Sequence, residues 1–239
     1  MEQQQIDGMR VAFFGGSFDP PHLGHLAVAR AARVALGLDR VIFTPVGAQP
    51  LKPLGSTASF ADRLALTELA IAGEPGFAVS LADAPRSGGA PNYTLETLKR
   101  LRAELPPGST LFCLMGADSF FGLRRWRGAA EIPFVAPLIV ASRPGQRLDD
   151  LKASLPEGLR MESEPEANAR GSAVEVRSCQ LRNDAGQTAP FYLLPGLNVE
   201  ISASEIREQI RAAFGGHGNC HELLPPAVFA AIKARGLYR

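Results

Sequence analysis

The sequence predicts an α/β protein built on a doubly wound parallel sheet, with helices on both faces and a C-terminal helical portion. Three observations carry that prediction. Short apolar runs alternate with helix-length segments four times with no hairpin signal between them, the chain order of parallel strands joined by crossover helices. The run from Thr110 to Met115 is apolar without alternation, as a strand covered on both faces must be. The first run, Val11 to Phe14, ends at Gly15-Gly16 and passes into an alanine-rich helical stretch from Leu23 to Leu36.

The elements follow in order. After this first strand, turn and helix, Arg40 to Val46 reads as a second strand, followed by a Pro- and Gly-rich loop from Gly47 to Thr57. Phe60 to Ala72 reads as a helix with Ser59 as its cap, Asp62 three residues on, and an apolar face of Leu64, Leu66, Leu69, Ala70 and Ile71. Phe77 to Leu81 is a third strand. Leu95, Leu98, Leu101 and Leu105 recur at helical spacing between Thr94 and Leu105, and Pro106-Pro107-Gly108 ends that helix. Thr110 to Met115 and Pro137 to Ala141 complete five strands.

Periodicity then fails from Gln146 to about Pro190, where Glu and Pro cluster and only Ala173 to Val176 and Phe191 to Leu194 look like strands. A long irregular insertion in a domain usually carries function or disorder. Leu197 to Ile201, a helix from Ser202 to Phe214, a Gly-His-Gly-Asn break at Gly216 to Asn219, and a helix from Pro226 to Ala234 stopping at Gly236 close the chain. The expected organisation is one domain over 1–239: a core to residue 145, an insertion over 146–190, and a C-terminal part over 191–239.

Composition narrows the function classes. The chain has 239 residues and is 46% hydrophobic, enough for a sizeable core, and 25 basic against 24 acidic residues leave a net charge of +1. No global field points to nucleic acid or an acidic membrane. Three cysteines far apart, Cys113, Cys179 and Cys220, form neither a disulfide framework nor a zinc knuckle. Met1 to Met9 has no signal-peptide pattern, and no window approaches the roughly 18 apolar residues of a membrane span. The expectation is a soluble, cytoplasmic protein, its oligomeric state open and a homo-oligomer among the options.

Two stretches could carry chemistry. In the first, Gly15-Gly16-Ser17-Phe18-Asp19-Pro20-Pro21-His22-Leu23-Gly24-His25, a glycine turn meets a helix start whose free N–H groups and dipole favour an anion. His22 and His25 stand one helical turn apart and face the same way, so as imidazolium donors they could offset charge on a phosphoryl group in transfer. No metal complement lies near them; the plainer alternative is that they cap and pack the turn. In the second, Ile201-Ser202-Ala203-Ser204-Glu205-Ile206-Arg207, Ser202 and Glu205 form a capping box, which would explain those two alone. Ser204 and Arg207 go beyond a cap, Arg207 offering a forked donor for phosphate oxygens.

Together these stretches strongly resemble the nucleotidylyltransferase superfamily that carries the HxGH and ISxSxxR signatures, and within it the bacterial nicotinate-nucleotide adenylyltransferases. Further matches are Pro91 to Leu98, Gly116 to Phe120 followed by Trp126, Ser142 to Gly145, and Leu224-Pro225 to Tyr238; Leu148 to Thr188 has no counterpart. The resemblance implies a Rossmann-like fold and transfer of AMP from ATP to nicotinate mononucleotide, giving deamido-NAD and pyrophosphate with Mg2+ required, in line and without a covalent intermediate. It implies that His22, His25 and Arg207 act in catalysis on the phosphates. Gly15, Gly16, Ser17, Phe18, Ser202 and Ser204 would line the ATP site, and Lys52, Tyr93, Thr94, Asp118 and Trp126 the mononucleotide site. No protein side chain is assigned to the metal, which would arrive on the ATP phosphates; no nucleic acid or membrane partner is implied.

The family's loop after the second strand commonly reads Pro-Pro-His-Lys, where this chain has Gln49-Pro50-Leu51-Lys52 and so lacks the histidine. The rival readings are another small-substrate adenylyltransferase, for nicotinamide mononucleotide or phosphopantetheine, and a nucleotide sensor that does not turn over. The cluster Arg124, Arg125 and Arg127 is read as a solvated face or a substrate-phosphate rim.

Overall fold

The computed structural model describes residues 8–51, 55–142, 148–163, 166–167, 174–197, 202–214 and 222–239. Lys52, Arg143 to Gly145, Ala173, Asn198 to Ile201, Gly216 to Asn219 and Cys220 lie outside the described residues. In chain order the elements are β1 (Arg10–Gly16), α1 (Leu23–Leu36), β2 (Arg40–Pro45), α2 (Phe60–Ile71), β3 (Phe77–Val79), α3 (Thr94–Glu104), β4 (Thr110–Gly116), α4 (Ala117–Phe121), α5 (Ile132–Val135) and β5 (Leu138–Ala141). Then follow α6 (Leu148–Ala153), β6 (Leu159–Met161), β7 (Glu166–Ala167), β8 (Arg177–Asn183), β9 (Thr188–Leu194), α7 (Ala203–Phe214) and α8 (Pro226–Arg235).

The strands form one sheet in the order β3-β2-β1-β4-β5-β9-β8-β6, with β7 also on β8. From β3 to β9 every pairing is parallel. The pleat explains the continuous apolar runs, because alternate residues face opposite layers. Val11 and Phe13 of β1 pack with Leu98 and Leu101 of α3 and with Cys113 of β4, whereas Ala12 and Phe14 pack with Leu26, Ala29 and Ala32 of α1 and with Leu114. A third cluster joins α2, α7 and α8 through Leu66, Ala70, Ile206, Ile210, Val228 and Ile232.

Two expectations are corrected. The segment expected to be irregular carries β6, β7 and β8, and β8 returns antiparallel on β9 through a turn at Asp184 to Gly186. The strand expected to end at Val176 is displaced to Arg177–Asn183. This strand alternates, with Cys179 and Leu181 buried and Gln180 exposed between them, so its short polar-rich run shows no apolar block. On α2 the buried face is Arg63, Leu66, Thr67, Ala70 and Ile71, while Leu69 is 36% exposed. A buried arginine displaces the apolar stripe that the leucines alone suggest.

The expected caps of α2 and of the last helix are present: Ser59 Oγ accepts the Asp62 N–H at 3.1 Å, and Gly236 ends α8 in the left-handed region at φ 62°. Leu98 is fully buried between α3 and the sheet. Leu98→Ala should lower unfolding free energy by about 2–5 kcal/mol, read as a shift of the urea midpoint at unchanged slope.

Candidate active site

From β1 the sheet grows outward in both directions, through β2 and β3 on one side and through β4, β5 and β9 on the other. At such a switch point the loops leaving the carboxyl ends of neighbouring strands part to opposite faces, and a crevice opens. Here it is a cleft of about 900 Å³. Gly15, Gly16, Ser17 and Phe18 leave β1 into it; His22 and His25 face it from the start of α1. Tyr93 and Thr94 come from the start of α3, Asp118 from α4, Trp126 from the turn beyond α4, and Ser202, Ser204 and Arg207 from α7 and the residue before it. The fold thus brings every site residue expected from the sequence to one cleft, apart from Lys52, which lies outside the described residues.

The glycine pair is held by packing as well as by any need for ligand approach. A Cβ at Gly15 would stand 2.6 Å from the Phe13 ring, and one at Gly16 would stand 3.1 Å from the Phe18 ring. Phe18 is itself buried, in the left-handed region at φ 47°, with its ring edge-on to Phe14 and to His25.

His22 is the N-cap of α1, in extended conformation, and its ring lies 3.7 Å from that of His25, centroid to centroid. The His22 backbone N–H donates to His25 Nδ1 at 3.2 Å. That acceptor role leaves the proton of a neutral His25 on Nε2. His22 Nδ1 is buried with no hydrogen-bond partner among the described residues. Burial lowers the His22 pKa from 6.5 to about 4, and burial followed by the neighbouring His22 ring lowers that of His25 well below 6.5. In the ligand-free chain burial therefore favours the neutral form of both rings, because taking a cation out of water beside Phe14 and Phe18 is costly.

The second stretch meets the first through one side chain. Arg207 Nη1 donates to the Asp19 carbonyl at 2.7 Å, across 188 residues of sequence, and Arg207 Nη2 donates to Ser204 Oγ at 3.1 Å. Ser202 acts as the expected cap, its Oγ accepting the Glu205 N–H at 3.3 Å.

Beneath the turn lie residues that sequence reasoning passed over. Asp19, 5% exposed, accepts the N–H groups of Thr57 at 2.6 Å and Ala58 at 3.1 Å and the Tyr238 hydroxyl at 2.9 Å. Arg63, 1% exposed, donates to the carbonyls of Ser17 at 2.5 Å and Val46 at 2.7 Å, joining the exits of β1 and β2. Burial lowers its pKa and the Asp19 charge partly opposes this; as an arginine it remains a cation. Gln49 Nε2 donates to Ser17 Oγ at 3.0 Å, so the loop that lacks the family's histidine still reaches the glycine turn. The one available sequence signal was Arg63 itself, a charge at helical spacing from Thr67 and Ala70 on a buried stripe.

The three clustered arginines divide. Arg124 donates to the Leu155 carbonyl at 3.4 Å, and Arg127 stacks 4.8 Å over the Tyr93 ring and pairs with Glu96 at 3.7 Å. Arg125 lines the cleft beside Trp126, which also packs against the core. Among the described residues no group of three His, Cys, Asp or Glu side chains could hold a metal ion, and no helix is long and apolar enough to cross a membrane.

The two histidines make stability depend on pH. Their folded pKa values lie below the unfolded 6.5, so the stability they confer is full above pH 6.5 and is lost as pH falls toward 4, where the unfolded chain takes up protons first. The loss should approach about 1.4 kcal/mol per pH unit for each ring that stays neutral. His22→Gln should flatten this dependence in urea titrations between pH 7 and pH 4.

The cytidylyltransferase-like family profile matches residues 13–209. A protein of Gloeobacter violaceus named "Probable nicotinate-nucleotide adenylyltransferase" is 37% identical over 97% of this chain and 97% of its own length. One of the same name from Trichlorobacter lovleyi is 36% identical over 97% of this chain and 100% of its own. Among solved structures, the Plasmodium falciparum nicotinic acid mononucleotide adenylyltransferase complexed with NaAD shares the fold, with a TM-score of 0.66 at 16% identity over 96% of this chain and 97% of that one. A cleft at the sheet's switch point, the two signature stretches joined across it and full-length relatives agree: the chain belongs to the cytidylyltransferase-like family and, within it, to the nicotinate-nucleotide adenylyltransferases.

Proposed function

We propose that this chain transfers the adenylyl group of ATP to nicotinate mononucleotide, giving deamido-NAD and pyrophosphate, a step of NAD biosynthesis. The observation that carries the reading is the hydrogen bond from Arg207 to the Asp19 carbonyl, which sets both signature stretches on one cleft. The names of the full-length relatives support the same reaction.

In this reading a phosphate oxygen of the mononucleotide attacks the α-phosphorus of ATP. A new P–O bond forms as the bond from that phosphorus to the oxygen bridging to the β-phosphate breaks, and pyrophosphate leaves with the electron pair. No side chain need act as a nucleophile, so the protein contributes position and charge. His25 offers its Nε2–H to the phosphates. His22, neutral and with an unpartnered ring nitrogen, gains a proton readily once a polyanion lies beside it, because a nearby negative charge raises an imidazole pKa. Arg207 and Ser204 hold the phosphate tail, with Ser202 capping the helix that carries them. Gly15, Gly16, Ser17 and Phe18 line the ATP side.

Trp126 stacks the pyridinium ring, a cation–π arrangement, with Tyr93, Thr94 and Asp118 around that pocket; the resemblance would add Lys52, which lies outside the described residues. Mg2+ would enter as part of the MgATP substrate, since triphosphate oxygens are hard donors suited to it. The partners are these small molecules in a cytoplasmic setting; with Arg124 and Arg127 engaged within the protein, the cluster offers no basic stripe to nucleic acid.

A pyrophosphate-release assay with ATP should show turnover with nicotinate mononucleotide, and less with nicotinamide mononucleotide or phosphopantetheine; silence with all three would replace this reading by nucleotide sensing. His25→Ala should lower turnover on the order of a hundredfold with the circular dichroism spectrum unchanged. Trp126→Ala should raise KM for the mononucleotide more than KM for ATP, and equal increases would exclude stacking.

A further inference from the structure

Tyr238 reaches Asp19, a residue that lines the cleft. Among the described residues only two non-glycines have positive φ, Phe18 at 47° and Tyr238 at 65°, and both adjoin Asp19: Phe18 in sequence, Tyr238 by its hydroxyl bond to Asp19 Oδ1 at 2.9 Å. Left-handed backbone at a bulky side chain persists only where its surroundings hold it. The surroundings are visible. Tyr238 is 6% exposed and packs in the cluster of α2, α7 and α8, so its ring is buried where its hydroxyl reaches Asp19. Burial, and secondarily the Asp19 charge, raise the Tyr238 pKa, so it remains a donor.

The Asp19 residue is held at both ends. Its carboxylate takes the Thr57 and Ala58 amides with the Tyr238 hydroxyl, and its carbonyl takes Arg207. Two residues back, the Ser17 carbonyl takes Arg63. The C-terminal segment makes a second, independent contact with the same motif, the Leu23 N–H at the start of α1 donating to the Leu223 carbonyl at 3.0 Å. Nothing in this set requires tyrosine for packing alone, since a phenylalanine would fill the same space.

We infer that Tyr238 is a positioning residue for adenylyl transfer: its hydroxyl fixes the Asp19 carboxylate, and through Asp19 the carbonyl that aims Arg207 and the turn that presents His22 and His25. The inference rests on the adenylyltransferase reading for its kinetic consequence, but not for its structural one. The tie leads to Asp19, whose carbonyl accepts from Arg207.

The test uses the full chain with Tyr238→Phe, which removes one oxygen. Turnover should fall about tenfold at saturating substrates, the worth of one buried hydrogen bond to a charged group, with KM for nicotinate mononucleotide unchanged. The same substitution in an Asp19→Asn background should cost less than twofold, because the bond it removes is already weakened. Amide exchange, read by mass spectrometry, should quicken at residues 17–25 and 202–208 and not at residues 93–98. If Tyr238→Phe lowers the melting temperature but leaves turnover and those exchange rates at the wild-type level, the tyrosine is structural only and the inference is overturned. If the wild-type chain shows no adenylyl transfer, the functional reading fails, and the exchange pattern alone still decides the role of Tyr238. Should Tyr238→Phe fail to fold, Tyr238→Trp, which keeps a ring and places a donor elsewhere, takes its place with the same outcomes.

Discussion

A single donor from Arg207 to the Asp19 carbonyl is the constraint on which the site depends. The sheet brings the end of β1 and the start of α7 near one another, but neighbouring loops have many ways to sit. The hydrogen bond selects one, and because the acceptor is main chain, it sets the backbone from which His22 and His25 hang. The other terminal guanidinium nitrogen donates to Ser204, its helical neighbour, so the fork is held flat and one edge is committed before substrate arrives. Rigid presentation of this kind is what a reaction limited by orientation and charge requires, since little else is left for the protein to do.

Electrostatically the cleft is an unusual place for a polyanion, because its two histidines are neutral when it is empty. The standing positive charge comes from Arg207, from Arg125 on the wall and, below the surface, from Arg63, whose contacts are carbonyls rather than a carboxylate bond. The nearby Asp19 carboxylate offsets part of the Arg63 charge, so the two act together beneath the turn. Imidazoles that gain protons only beside the phosphates add charge where it is wanted and not before. Their lowered pKa values follow from burial beside Phe14 and Phe18.

Much of this molecule could be read in advance where the cause was local. The glycine turn, the cap at Ser59, the leucine face of α3 and the unbroken run of β4 follow from neighbours in sequence, and the structure has them. The readings that shifted depend on distant partners. Gln180 and Arg182 break the apolar pattern of β8, yet the strand forms because β9 supplies its hydrogen bonds. Leu69 looks like core until Arg63 takes the inward position, drawn by two carbonyls from the ends of β1 and β2. In the protonation of His22 and His25, spacing showed that the rings could share a face and could not show that burial would lower their pKa values.

The sequence alone determined the order of β1 to β5 with α1, α2 and α3 among them, the helix start that can receive an anion, and the two signature stretches that mark the family, because each is written in adjacent residues and in spacings of three or four. Only the tertiary structure decided that Asp19 is the joint between those stretches, that Arg63 lies beneath the turn and that the last tyrosine of the chain reaches it. Those contacts join residues 46, 188 and 219 positions apart. No local pattern encodes them, since a hydrogen bond between distant residues exists only after the chain between them has been folded around a common core.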